Sequence, residues 1–161
     1  MEKTKIEYVN TLSIEDYNNL RKTAGWREVS DRKAKIGLKK STFITVAMID
    51  NKPIGMARIV GDGGYFMLIV DVVVLPQWQG QGIGKNLMKQ VMLYIDQSIE
   101  ENENVFVSLM AAPERDSFYE QFGFRSCPDG DLMRTGMYQY KCGGKECRSQ
   151  HPICSSQRGG L

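Results

Sequence analysis

Residues 5–9 can form a short first strand, after which Ser13 offers an N-cap for a helix reaching Ala24. Asp16 stands at the third helical position as the acidic partner of that cap, and Gly25 supplies the stop. A more basic stretch, 30–40, has few apolar positions and reads as a lid or flap rather than a core helix. Residues 43–49 and 54–60, joined by the turn Asp50-Asn51-Lys52, form a hairpin, because β-branched residues flank turn chemistry. After Gly61-Asp62-Gly63-Gly64 comes a third consecutive strand, 65–75, apolar at nearly every position instead of alternating. That pattern predicts cover on both faces and a central place in the sheet, with Pro76 as its end.

Ile83, Leu87, Met88, Val91, Met92 and Ile95 recur at helical spacing and give one buried stripe. Residues 105–110 read as another strand, Pro113 fits the first turn of a helix running to Phe122, and Gly123 supplies its stop. Residues 135–141 read as a last strand. The predicted order of strand, two helices, three-stranded meander, helix, strand, helix and strand describes an α/β layered domain with a mixed sheet. One domain is expected over 1–142, followed by a polar, flexible tail, 143–161.

Composition narrows the function classes. The 161 residues suffice for one domain with a real core. At 42% apolar and 25% charged the chain resembles soluble globular proteins, and no apolar run approaches the roughly 20 residues of a membrane span. No secretory segment follows the charged N-terminus, so a cytoplasmic location is expected. A net charge of +2, with cations scattered among acids, asks for no nucleic acid or membrane partner. The four cysteines are expected as thiols in that compartment.

Gln79-Gly80-Gln81-Gly82-Ile83-Gly84 lies where the central strand hands over to the amphipathic helix. Glycines there let backbone approach a ligand and expose several N–H groups together, and with the positive end of the helix dipole they make an anion site suited to a pyrophosphate. A P-loop would need Gly in place of Gln79 and Ser or Thr in place of Asn86; a dinucleotide fingerprint starting at Gly80 would need Gly or Ala in place of Lys85.

The pattern Gln79-x-x-Gly82-x-Gly84, preceded by Val72-Val73-Val74-Leu75-Pro76, resembles the acetyl-CoA signature of the GNAT N-acetyltransferase superfamily. Downstream, Phe118-Tyr119-Glu120-Gln121-Phe122-Gly123-Phe124 is similar to the superfamily's helix-to-strand segment with its tyrosine. The resemblance implies a mixed central sheet with helices on both faces and acetyl-CoA as co-substrate. It assigns the pantetheine arm to the backbone of Val72, Val73 and Val74, and the pyrophosphate to Gln79, Gly80, Gln81, Gly82, Ile83, Gly84 and Lys85. Many members carry Arg where this chain has Gln79, which removes a direct charge that Lys85 would replace. A homodimer is common in such proteins. Within the superfamily, segments 65–88 and 118–119 look closest to arylalkylamine-type enzymes.

Acetyl transfer to a primary amine needs the amine neutral, which at pH 7 costs about 4.6 kcal/mol for a pKa of about 10.4. A base, or a water chain leading to one, is therefore sought, together with a proton donor for the leaving thiolate. Tyr119 is placed where the resemblance puts the acid. Asp71 is the only charge in residues 65–75, which makes it either a base or amine anchor, or half of a buried ion pair with Arg58. If the hairpin turn centres on Asp62 and Gly63, Arg58 lies opposite Met67 and Asp71 opposite Ile54, an offset of about 13 Å that disfavours the pair. Trp26 either lines the acceptor pocket or packs beneath a flap, and segment 128–136 completes the acceptor mouth. Cys127 as an acyl-accepting nucleophile lacks a nearby histidine. In the tail, Cys142, Cys147, His151 and Cys154 have ligand chemistry without a common zinc spacing, and no metal is expected.

Direct transfer from acetyl-CoA to a small primary amine is the leading expectation. A peptide or protein amine is the near alternative. A non-catalytic acyl-CoA sensor is the alternative of another class, and it would tolerate loss of Asp71 and Tyr119.

Overall fold

The computed structural model of the chain describes residues 5–126 and 135–143. Its elements are β1 (Glu7–Val9), α1 (Ile14–Thr23), α2 (Asp31–Lys39), β2 (Phe43–Ile49), β3 (Lys52–Gly61), β4 (Phe66–Val74), α3 (Ile83–Gln97), β5 (Asn104–Ala111), α4 (Asp116–Glu120), β6 (Arg125–Ser126) and β7 (Thr135–Cys142). They build a seven-stranded mixed sheet in the order β1-β2-β3-β4-β5-β7-β6, with β4 in the middle. Among the described residues only β4 and β5 pair in parallel, which the crossover through α3 permits.

Local chemistry accounts for most boundaries. The Ser13 hydroxyl accepts the Asp16 amide at 3.0 Å at the start of α1, and Gly25 takes a left-handed φ of 72° just past its end. The six predicted stripe residues of α3, Ile83 to Ile95, are all buried against one sheet face. A second cluster, Tyr17, Leu20, Ala34, Val46, Met56 and Val73, fixes α1 and α2 on the other face.

Three expectations need correction. The helix predicted from Pro113 starts only at Asp116, because Glu114 has a φ of 63° that no continuous helix accommodates. Cover on β4 is also uneven: Met67, Ile69 and Val73 are buried, whereas the rest of the strand is half-buried or exposed.

The third concerns register. Arg58 pairs with Val70, not Met67, because the Asp62 carboxylate accepts the amides of Gly64 and Phe66 at 2.8 and 3.1 Å and widens the loop, so that Gly61 faces Met67. Between the pairs Met56↔Val73 and Arg58↔Val70, the single residue Ala57 opposes both Asp71 and Val72. This β-bulge carries Asp71 at φ 54°, a conformation that Asp tolerates better than most residues.

Candidate active site

Pairing of β4 with β5 ends at Ile69↔Leu109, although β4 continues to Val74 and β5 to Ala111. The bulge at Asp71 sits where the two strands part. Leu75 donates its amide to Ile54 of β3 at 2.8 Å, so by strand alternation Val72 and Val74 turn their backbone groups away from β3, into the gap. Of these, the Val72 groups and the Val74 amide are the ones to which an extended amide chain can bond as an added strand does, since the Val74 carbonyl accepts from Gln79.

The gap opens into a cleft of about 540 Å³. It is lined by Val72, Val73 and Val74 of β4, by Gln79, Gly80, Gly82, Ile83, Gly84 and Lys85 of the loop and the start of α3, by Phe118 and Tyr119 of α4, and by Thr23, Ala24 and Trp26 at and just past the end of α1. Gly80 and Gly82 have φ of 74° and 79°, which re-aims the loop so that α3 begins without a side-chain cap. The first amides of α3 are left to a ligand or solvent. Among the described residues no carboxylate lines the cleft, while Lys85 and Arg115 do. The cleft thus fits a long, amide-containing polyanion.

The structure thereby brings together Trp26, Tyr119 and every predicted donor residue except Gln81, whose amide reaches the Gln77 carbonyl at 3.2 Å and which does not line the cleft. Gln79 lines it, yet its amide is committed to the Val74 carbonyl at 2.9 Å. Tyr119 is 9% exposed, and burial pushes its hydroxyl above the ordinary value of 10.0 despite the opposing charge of Arg115. The sequence gives no sign of Arg115, because the turn that presents it, closed by its amide on the Ala112 carbonyl at 3.1 Å, has the residue pattern of a helix start after Pro113.

Asp71 is placed differently. It does not line the cleft, and its carboxylate is 10% exposed. Arg58 meets Oδ2 through Nη2 at 2.7 Å and Nε at 2.8 Å, the Tyr17 hydroxyl donates to the same oxygen at 2.9 Å, and Arg21 Nη1 meets Oδ1 at 2.8 Å. The ion pair that the assumed register disfavoured is therefore formed, with a second arginine from α1. Arg58 also donates to Ser41 Oγ at 2.6 Å and to the Gly37 carbonyl at 3.2 Å. Cys127, segment 128–134 and the tail residues Cys147, His151 and Cys154 lie outside the described residues.

The model of the acetyltransferase (GNAT) domain family matches residues 40–126. An uncharacterized N-acetyltransferase, ycf52, of Porphyra purpurea is 35% identical over 137 residues, covering 81% of this chain and 75% of that protein. The chloroplastic GCN5-related N-acetyltransferase 2 of Arabidopsis thaliana is 36% identical over 91 residues, 56% of this chain and 33% of its own. Among solved structures, a probable acetyltransferase of unknown function from meticillin-resistant Staphylococcus aureus superposes with a TM-score of 0.72 at 34% identity, covering 80% of this chain and 97% of that one. No helix among the described residues is long and apolar enough to cross a membrane.

Proposed function

The chain belongs to the GNAT acetyltransferase family, and from that premise we propose that it moves an acetyl group from acetyl-CoA directly to the primary amine of a small molecule. One observation carries the reading: a single cleft joins the β4 edge that β5 leaves open at Val72 and Val74, the glycine loop at the start of α3, and Tyr119, with no carboxylate on its walls among the described residues.

Acetyl-CoA supplies an activated thioester with a good leaving group. The backbone of Val72 and the Val74 amide hold the amides of its arm, and the amides of Gly80, Gly82, Ile83, Gly84 and Lys85, with the Lys85 ammonium, hold its pyrophosphate. Gln79 serves by fastening the strand end through Val74 rather than by touching phosphate. Tyr119 keeps its proton on Oη throughout the neutral range, because burial holds the hydroxyl above its ordinary value, and so has a proton to give to the departing sulfur. Both Asp71 oxygens are occupied by Arg21, Arg58 and Tyr17, so the amine proton leaves through water in the cleft and Asp71 is neither base nor amine anchor. Trp26 forms the acceptor-side wall, which suits an amine carried on an apolar or aromatic group. The proposal sets the reaction in the cytoplasm.

The test is a transfer assay with acetyl-CoA and a panel of 2-phenylethylamine, spermidine, kanamycin and an alanyl tripeptide, with calorimetric titration of CoA alongside. Turnover of the small amines above the peptide is expected. Tight CoA binding without turnover of any amine would put the sensor reading in front, and preferred turnover of the tripeptide would replace the small-molecule acceptor by a peptide one.

A further inference from the structure

The strand bulge on the donor side and the turn carrying Trp26 share one fastening. Arg21, in the last turn of α1, joins Asp71 at 2.8 Å through Nη1 and reaches the Arg27 carbonyl through Nε and Nη2, each at 3.3 Å. Its guanidinium lies 5.4 Å above the Trp26 ring, and its own carbonyl accepts the Trp26 amide at 3.0 Å. Arg21 thus grips the 25–27 turn on both sides of Trp26 with the planar fork and stacking face that only arginine combines. At the other end of the contact, Asp71 occupies the left-handed position of the bulge that parts β4 from β5.

We propose that Arg21 and Asp71 are positioning residues that hold the Trp26 wall at a fixed separation from the β4 edge, so that acceptor binding depends on a contact made outside the cleft. Neither touches the reacting atoms. The donor is held by backbone at 72–74 and by the loop at 80–85, which Arg21 does not contact, so the two residues differ in consequence. Loss of Arg21 frees the acceptor wall alone and leaves Asp71 balanced by Arg58. Loss of the Asp71 charge frees the wall and also unfastens the bulge, leaving two guanidiniums without their counter-charge. The inference rests on reading the cleft as a site for acetyl-CoA and an amine.

The experiment measures kcat and both KM values on the full chain, using the panel amine that wild type turns over best, for wild type, Arg21→Gln, Arg21→Lys and Asp71→Asn, with thermal melting alongside. Arg21→Gln is expected to melt within a few degrees of wild type and to raise the amine KM at least tenfold, with the acetyl-CoA KM within twofold. Arg21→Lys restores the contact to Asp71 but not the grip on the turn, and should fall between the two. Asp71→Asn should raise both KM values. A merely structural role would lower kcat through the active fraction and leave both KM values unmoved. That result, or a parallel rise of both KM values in Arg21→Gln, overturns the inference. Should Asp71→Asn fail to fold, the arginine pair decides alone. Absence of turnover by wild type overturns the underlying reading itself, which distinguishes the two failures.

Discussion

The glycine-loop end of the cleft and the wall that carries Trp26 are built from different materials. The glycine-loop end is mostly backbone: a strand edge, two left-handed glycines and the open start of α3, all within residues 72–85. The wall that carries Trp26 is held by side chains: Tyr17 and Arg21 of α1 and Arg58 of β3 converge on the Asp71 carboxylate of β4 over sequence separations of 13 to 54. Backbone sites are set by local conformation and bend to few substitutions outside glycine. Side-chain networks are set by tertiary packing, and a single partner can undo them.

The sharpest way to break the comparison is at the hub. Arg58→Ala removes a buried partner of Asp71 together with the donor to Ser41, and breaking a buried pair from one side costs about 3–5 kcal/mol. Urea unfolding should register that loss, and a change below about 1 kcal/mol would mean that Arg21 alone suffices.

Tyr119→Phe comes next. Loss of a general acid typically lowers a rate by about 10²-fold or more, about 2.7 kcal/mol, and here CoA affinity should stay within a few-fold. An unchanged kcat would remove the hydroxyl from the reaction.

On the backbone side, Gly82→Ala tests conformation in isolation, since nothing stands within 4 Å of a Cβ there but φ is 79°. The strain is about 1–2 kcal/mol, and a roughly tenfold weaker acetyl-CoA affinity by calorimetry is the expected result. If Gly82→Ala binds normally, the loop does not need its left-handed turn.

The smallest effect is with pH. Burial, reinforced by the negative charge of Asp71, raises the Tyr17 hydroxyl above 10.0, and burial does the same for Tyr119. Both are neutral, folded or unfolded, below about pH 10, where their full contribution to stability is present. Between about pH 10 and their raised folded values the unfolded chain ionises first, and that stability is lost. Melting followed from pH 8 to 11 should show the decline begin near pH 10 and become shallower in Tyr17→Phe.

Much of this frame was readable in the residues because it is local. Ser13 with Asp16 marked the start of α1, six apolar positions marked the face of α3, and Gly80 and Gly82 marked the turn before it. The failures share a cause. Glu114 at positive φ and the short β6 carry no distinct signal in the sequence. The Arg58 register failed because an Asp62 side chain, not the glycines around it, sets the width of the hairpin loop.

The family lay in the sequence itself: glycines at fixed spacing after an apolar strand, and Tyr119 after Phe118, are local patterns that resemble those of the superfamily. What became of Asp71 was decided only by the fold. As a lone charge in an apolar strand it reads either as a base or amine anchor, or as half of a buried ion pair with Arg58. The choice turned on a one-residue bulge that carries it to Arg58, and on a helix 50 residues upstream that brings Arg21 within 2.8 Å. Burying a carboxylate requires partners, and which partners arrive depends on how distant elements pack.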